Sequence, residues 1–189
     1  SILKVSGIPA YSYLMPGFPA SNSEGFKSTY AYNIEEAKKL LAEAGYPNGK
    51  GLPEITLQIN GGGKRNEQVA EAVEKMIEET LNIDVELLAV PWAQHSEAIE
   101  AAKVAFYRMG WIADYPDAEN FLNLFMGKYV PDDIKVKTYI NSYRYKNPDY
   151  DKALEKALAC TDEKERNRLY AIADQIAVDD AVVMPNYYD

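Results

Sequence analysis

The chain has 189 residues, 47% of them apolar and 26% charged, and 20 lysines plus arginines against 29 aspartates plus glutamates give a formal net charge of -9. That composition is globular and long enough to bury a core, and its overall negative field disfavours nucleic acid and anionic membrane surfaces. No apolar run approaches the ~18 residues of a membrane span, and the single cysteine, Cys160, excludes an internal disulfide framework and a cysteine metal cluster.

Residues 1–32 are punctuated by Pro9, Pro16 and Pro19, by Gly7, Gly17 and Gly25, and by Ser21-Asn22-Ser23. They read as an extended arm packed over the rest of the chain. Residues 33–189 read as one α/β body, and arm and body together as a single structural domain. Asn33-Ile-Glu-Glu36 is a capping box opening a helix through Ala37, Leu40, Leu41 and Ala44, which Gly45 stops. Glu54 to Ile59 alternates as a strand, with Ile55, Leu57 and Ile59 on one face. After the turn at Gly61-Gly-Gly63, a helix from about Asn66 carries Val69, Val73, Met76, Ile77 and Leu81 as its stripe. Ile83 to Val90 then returns as a parallel strand, completing a βαβ unit. A short helix over 93–102 leads to a strand over 104–109. Asp117 caps a helix from Glu119 to about Met126, and Asn147-Pro148 opens one that ends near Ala159. Thr161 caps another from Asp162 to Val178, and 181–185 close the chain as a short strand.

Several chemistries fail on spacing. Gly61-Gly-Gly63 followed by Lys64 and Arg65 matches neither phosphate-loop pattern, so a flexible turn is the better reading. His95 is the only histidine, which leaves nucleophilic triads and metal sites without support; it reads as a helix-surface residue. Asp114 and Asp117 lie too close in sequence to oppose each other across a glycosidic bond, and a carboxylate-dependent hydrolase is the weakest alternative. No catalytic residue, metal ligand or cofactor is expected. Asp114 is different in kind: it follows Trp111 just beyond a predicted strand, where open α/β folds place ligands. A carboxylate beside aromatic walls suits an ammonium group, although a local turn-stabilising role is the alternative. The 15 tyrosines offer apolar faces with polar tips to a ligand cleft or to an ordinary packed interface.

Several separated segments resemble the extracytoplasmic substrate-binding proteins of oligopeptide and dipeptide ABC importers. They are Pro16-Gly-Phe-Pro19, the run from Tyr32 to Tyr46, Ile83-Asp-Val-Glu-Leu87 with Trp92, Gly110-Trp-Ile-Ala-Asp-Tyr-Pro-Asp117 with Asn120-Phe-Leu122, Asn147-Pro-Asp-Tyr-Asp-Lys152, Asp162-Glu-Lys-Glu-Arg166, and Met184-Pro-Asn-Tyr-Tyr188. The resemblance implies an α/β fold, one lobe of a two-lobed type II periplasmic-binding-protein-like fold, with a mixed sheet flanked by helices. It implies a hinge-proximal arm at 1–32 and capture of peptide between this lobe and a first lobe absent from the chain. It further implies delivery to the transmembrane subunits of an ABC permease, and an extracytoplasmic location, periplasmic or as a surface lipoprotein, with the signal segment lying outside the fragment.

By the same resemblance Asp114 holds the peptide's α-ammonium group, Trp92 and Trp111 line side-chain pockets, Arg108 is a cleft arginine, and Tyr115 completes the ligand-binding set. Ile99 departs from the pattern, standing where oligopeptide binders carry an arginine. Relatives of this fold take up oligosaccharides, haem or metal chelates, and those ligands are the alternatives to peptide.

Overall fold

The computed structural model describes residues 7–188, so residues 1–6 of the expected arm lie outside the described residues. In chain order the elements are β1 (Ile8–Pro9), α1 (Ser23–Tyr30), α2 (Ile34–Glu43), β2 (Ile55–Asn60), α3 (Lys64–Leu81), β3 (Val85–Val90), α4 (Trp92–Glu100), β4 (Phe106–Tyr107), α5 (Glu119–Leu122), α6 (Pro148–Ala159), α7 (Glu163–Asp179) and β5 (Tyr187–Tyr188). Short 3-10 turns occupy Pro47–Gly49, Asn123–Phe125 and Gly127–Tyr129. Two compact units emerge: Tyr32–Gly110, and residues 7–31 together with 111–188. One division lies between Ala31 and Tyr32 and the other between Gly110 and Trp111.

In the unit Tyr32–Gly110, β2 is the middle strand of a three-stranded sheet in the order β3-β2-β4, and both pairings are parallel. Leu57 and Ile59 pack with Ala70, Val73 and Ile77 of α3, while Gln58, whose side chain must point to the other face of the strand, bonds to His95 of α4. Alternation along β2 therefore puts α3 on one face of the sheet and α4 on the other. Asn33 caps α2 as expected, its side chain accepting the Glu36 N–H at 3.1 Å; the Glu36 carboxylate engages Lys39 at 3.2 Å. At the far end of α3, Asn82 adopts a left-handed conformation (φ 55°), and a Cβ on Gly49 would collide with its carbonyl, so that position requires glycine. The strand expected over 104–109 contracts to Phe106–Tyr107, although the Arg108 N–H still donates to the Gln58 carbonyl at 2.9 Å.

The other unit is built around α6 and α7. Leu14 and Ala20 from the arm join Phe121, Leu122, Phe125, Met126, Tyr150, Leu154, Tyr170 and Ala173 in one buried cluster. The arm is not wholly extended: Ser23–Tyr30 forms α1, with Ser23 and Phe26 buried. Asn147 caps α6 by accepting from the Asp149 and Tyr150 N–H groups, with Pro148 at the first helical position. Two expectations are corrected here. The cap of α7 is Asp162 and not Thr161: its carboxylate accepts the Glu165 N–H at 2.8 Å. The C-terminal strand is Tyr187–Tyr188, paired antiparallel with Ile8–Pro9, and not residues 181–185. The Val182 N–H turns to the Ala177 carbonyl and the Val183 N–H to the Tyr13 hydroxyl, so neither joins a ladder.

Much of the tyrosine content works inside this unit. Tyr150 donates to the Leu122 carbonyl at 2.5 Å and Tyr188 to the Ser12 carbonyl at 2.7 Å. Asp174, fully buried on α7, accepts the Tyr13 N–H at 3.2 Å. Burial pushes its carboxyl up to about 6, restrained by hydrogen bonds from Tyr13, Ser12 and Leu14.

Candidate functional site

Trp92 and Arg108 stand at the carboxyl edge of the parallel sheet. β3 ends at Val90, Pro91 turns the chain, and Trp92, a residue 56% exposed, opens α4. Arg108 follows β4, and its guanidinium Nη1 donates at 3.0 Å to Oδ1 of Asn60, the last residue of β2. Three strand ends thus converge on one rim, the place where open parallel sheets present ligand groups.

Beneath that rim lies a polar arrangement that the sequence reading missed. His95 is buried, not on the helix surface. Its Nε2 donates to the Arg108 carbonyl at 2.9 Å, and its Nδ1 accepts from the Gln58 amide at 3.0 Å. Burial lowers its pKa, opposed by the bond to Arg108, so the ring is neutral with the proton on Nε2. Gln58 was the available signal: a long polar side chain on the second face of the middle strand needs a partner once a helix covers that face. The ring of Trp92 lies 5.9 Å from that of His95, so the same imidazole that fixes the Arg108 backbone also supports the exposed indole. Ile99 is buried in this unit at 1% exposure, so the position contributes packing here.

Trp111, Asp114 and Tyr115 belong to the other unit, on the loop before α5. One side-chain oxygen organises that loop. Asn120, 6% exposed, accepts from the Trp111 indole N–H at 2.8 Å and from the Asp114 backbone N–H at 3.2 Å, using both lone pairs of its carbonyl. Its neighbours Ala118, Phe121 and Leu122 are buried in the core, which gives the loop a rigid base. Asp117 is occupied at the start of α5, accepting the Glu119 N–H at 2.9 Å. The Tyr115 hydroxyl donates to the Glu119 carboxylate. Two of the loop's three acidic side chains are therefore committed to the protein itself. Asp114 is exposed, and among the described residues its carboxylate has no hydrogen-bond partner, while the pinned indole beside it is 47% exposed. The Asn120 anchor was missed because its partners are an indole and a backbone N–H, not a helix cap.

At the Gly61–Gly63 turn two backbone N–H groups are already taken: that of Gly61 donates to the Val90 carbonyl at 2.8 Å, and that of Gly62 to the Glu67 carboxylate at 3.3 Å. Among the described residues no cluster of three or more His, Cys, Asp or Glu is placed to hold a metal ion, and no helix is long and apolar enough to cross a membrane.

The family described as bacterial extracellular solute-binding proteins, family 5, middle region, matches residues 1–133. The chain is 31% identical over 184 residues to the periplasmic oligopeptide-binding protein OppA of Escherichia coli, covering 96% of this chain and 32% of that protein. It is 27% identical over 189 residues to heme-binding protein A of Haemophilus influenzae, covering 98% and 32% respectively. The crystal structure of Haemophilus influenzae OppA in complex with RPPGFSPFR superposes with a TM-score of 0.83 at 26% identity, over 99% of this chain and 36% of that one. The chain thus spans about a third of the length of the relatives it matches. Such proteins bind and do not catalyse, and by the extent of these matches the chain belongs to the bacterial extracellular solute-binding proteins of family 5.

Proposed function

We propose that the chain is one lobe of an extracytoplasmic peptide receptor for ABC-type import, closing with a first lobe around its ligand. The observation that carries this reading is the open carboxylate of Asp114 on a loop that Asn120 holds beside an exposed indole. In this reading Asp114 takes the α-ammonium group of the peptide, Trp111 and Trp92 wall side-chain pockets, Arg108 presents a cationic group, and Tyr115 lines the amino end. An exposed carboxylate–ammonium pair is worth only about 0–1 kcal/mol. Shedding water around it strengthens the attraction severalfold, so capture depends on enclosure by the partner lobe. The permease of an ABC importer is the proposed receiver of the closed complex. The carriage of this fold by oligopeptide binders supports peptide as the ligand. Haem is the second reading, supported by the Haemophilus influenzae relative and by the two exposed tryptophans.

Calorimetric titration of the two-lobed protein with di- to pentapeptides and their N-acetylated counterparts tests this. Micromolar or tighter binding that acetylation abolishes is the expected result, with Asp114→Asn losing about 2–5 kcal/mol. Equal affinity for acetylated and free peptides removes Asp114 from the amino end. Haem binding without peptide binding selects the second reading.

A further inference from the structure

Residues 130–147 contain no helix or strand, yet the segment is firmly built. Thr138, buried, donates its hydroxyl to the Tyr129 carbonyl at 3.0 Å. Asn141, also buried, donates to the carbonyls of Met126 at 3.1 Å and Tyr145 at 2.8 Å, and accepts the Tyr145 N–H at 3.2 Å. Arg144, at φ 56°, donates to the Val136 carbonyl at 2.8 Å. These bonds pull polar groups inward and leave apolar ones outside. Ile134 is 65% exposed, Val136 51%, Tyr139 74% and Ile140 38%.

Lysines are interleaved with them at 135 and 137. Over residues 128–146 there are five basic side chains (Lys128, Lys135, Lys137, Arg144 and Lys146) against Asp132 and Asp133, an excess of three positive charges in a chain whose net charge is -9. We propose that residues 134–140 are a docking loop for an anionic lipid surface, its aliphatic and tyrosyl tips entering the headgroup boundary while Lys135 and Lys137 meet lipid phosphates. A loop this short falls well below the roughly 20–30 residues a side of a stable protein interface. A fluid headgroup layer, by contrast, admits a few protruding side chains, lets lysine stems lie against acyl chains, and favours tyrosine at its boundary.

The opposing charge of the rest of the chain makes this surface recognisable by its salt response. At ~0.01 M salt the screening length is ~30 Å and the whole acidic chain is repelled; at ~0.15 M it is ~8 Å and the loop's own charge governs; at ~1 M the attraction is lost. Flotation of the 189-residue chain with vesicles of phosphatidylglycerol and phosphatidylcholine should therefore show binding that peaks near ~0.15 M and falls on either side. Pure phosphatidylcholine should bind far less. Ile134→Ser with Tyr139→Ser should weaken partitioning at least about fivefold. Lys135→Gln with Lys137→Gln should weaken it by about tenfold or more and flatten the salt response. Thermal melts of both variants matching the parent exclude misfolding as the cause. Absence of binding at every salt concentration, equal binding to both vesicle types, or unaffected variants would overturn the proposal. So would a concentration-dependent dimer that Ile134→Ser with Tyr139→Ser disperses, which would assign the loop to a second copy of the chain.

Discussion

In the unit Tyr32–Gly110 the main buried cluster is four side chains, Leu57, Ile59, Ala70 and Val85, between a sheet and one helix. The unit of residues 7–31 and 111–188 surrounds fifteen, and threads buried polar groups such as Asn120, Asn141 and Asp174 through them. One unit is held by strand pairing and the alternation of apolar faces; the other by a helical core and by side chains that reach distant backbone. The consequence for function is that the two halves of the candidate ligand set rest on different supports. Trp92 and Arg108 depend on a sheet edge buttressed by His95, and Trp111 and Asp114 on an asparagine set into a dense core.

The two tryptophans fall one in each unit, so each unit can be followed separately: Trp92 in a Trp111→Phe background and Trp111 in a Trp92→Phe background. The largest effects should come from emptying the two cores. Leu154→Ala, at a fully buried position of α6, should destabilise the Trp111-reported unit by about 3–5 kcal/mol. Leu57→Ala, in a small cluster beside a three-stranded sheet that can settle around the gap, should cost the Trp92-reported unit about 2–3 kcal/mol. Denaturant midpoints in the two backgrounds check this. A larger loss from Leu57→Ala than from Leu154→Ala would reverse the comparison.

The units should also answer pH with opposite signs. The Asp174 carboxyl has a folded value near 6, above its ordinary 3.8, so its stabilising contribution is complete at low pH and is lost as pH rises through about 6. The difference is on the order of 3 kcal/mol. His95 is shifted downward from 6.5, so its contribution is present above 6.5 and is lost as pH falls through its folded value. Between pH 7 and pH 5 the Trp111-reported unit should gain from Asp174, and the Trp92-reported unit should lose from His95. Asp174→Asn should raise stability at pH 7 by about 1–3 kcal/mol, the gain shrinking toward pH 4. A pH-independent difference between parent and variant would remove Asp174 as the origin.

The same contrast explains how much was legible in the sequence. The caps at Asn33 and Asn147 and the alternation along β2 involve neighbours within a few residues, and each element appeared within a residue or two of its expected limits. The Trp111–Asp114 motif was visible because its types and spacing lie in one stretch. What stayed hidden was held by distant partners. His95 was misplaced because Gln58, 37 residues away, turns it inward. The strand at Tyr187–Tyr188 needs Ile8–Pro9 from the other end of the chain. The helix Ser23–Tyr30 carries Gly25 and lacks a side-chain cap bond, so nothing local announces it.

The smallest effects should separate the caps. Asn147→Ala removes the acceptor of two helix N–H groups and a donor to Asp180 at 2.7 Å, at a helix whose inner face is buried; about 1–2 kcal/mol should be lost from the Trp111-reported midpoint. Asp162→Ala should cost about 1 kcal/mol, whereas Thr161→Ala should stay within about 0.5 kcal/mol of the parent. Asn33→Ala also removes an N–H acceptor, but α2 has no buried residue to tie its cap to the core. Its loss should appear as faster amide exchange along the first turn of α2, with the Trp92-reported midpoint lowered by no more than about 0.5–1 kcal/mol. If Asn33→Ala instead lowers that midpoint as far as Asn147→Ala lowers the other, α2 is bound into its unit more tightly than its exposure implies, and the thin-core description of Tyr32–Gly110 fails with it.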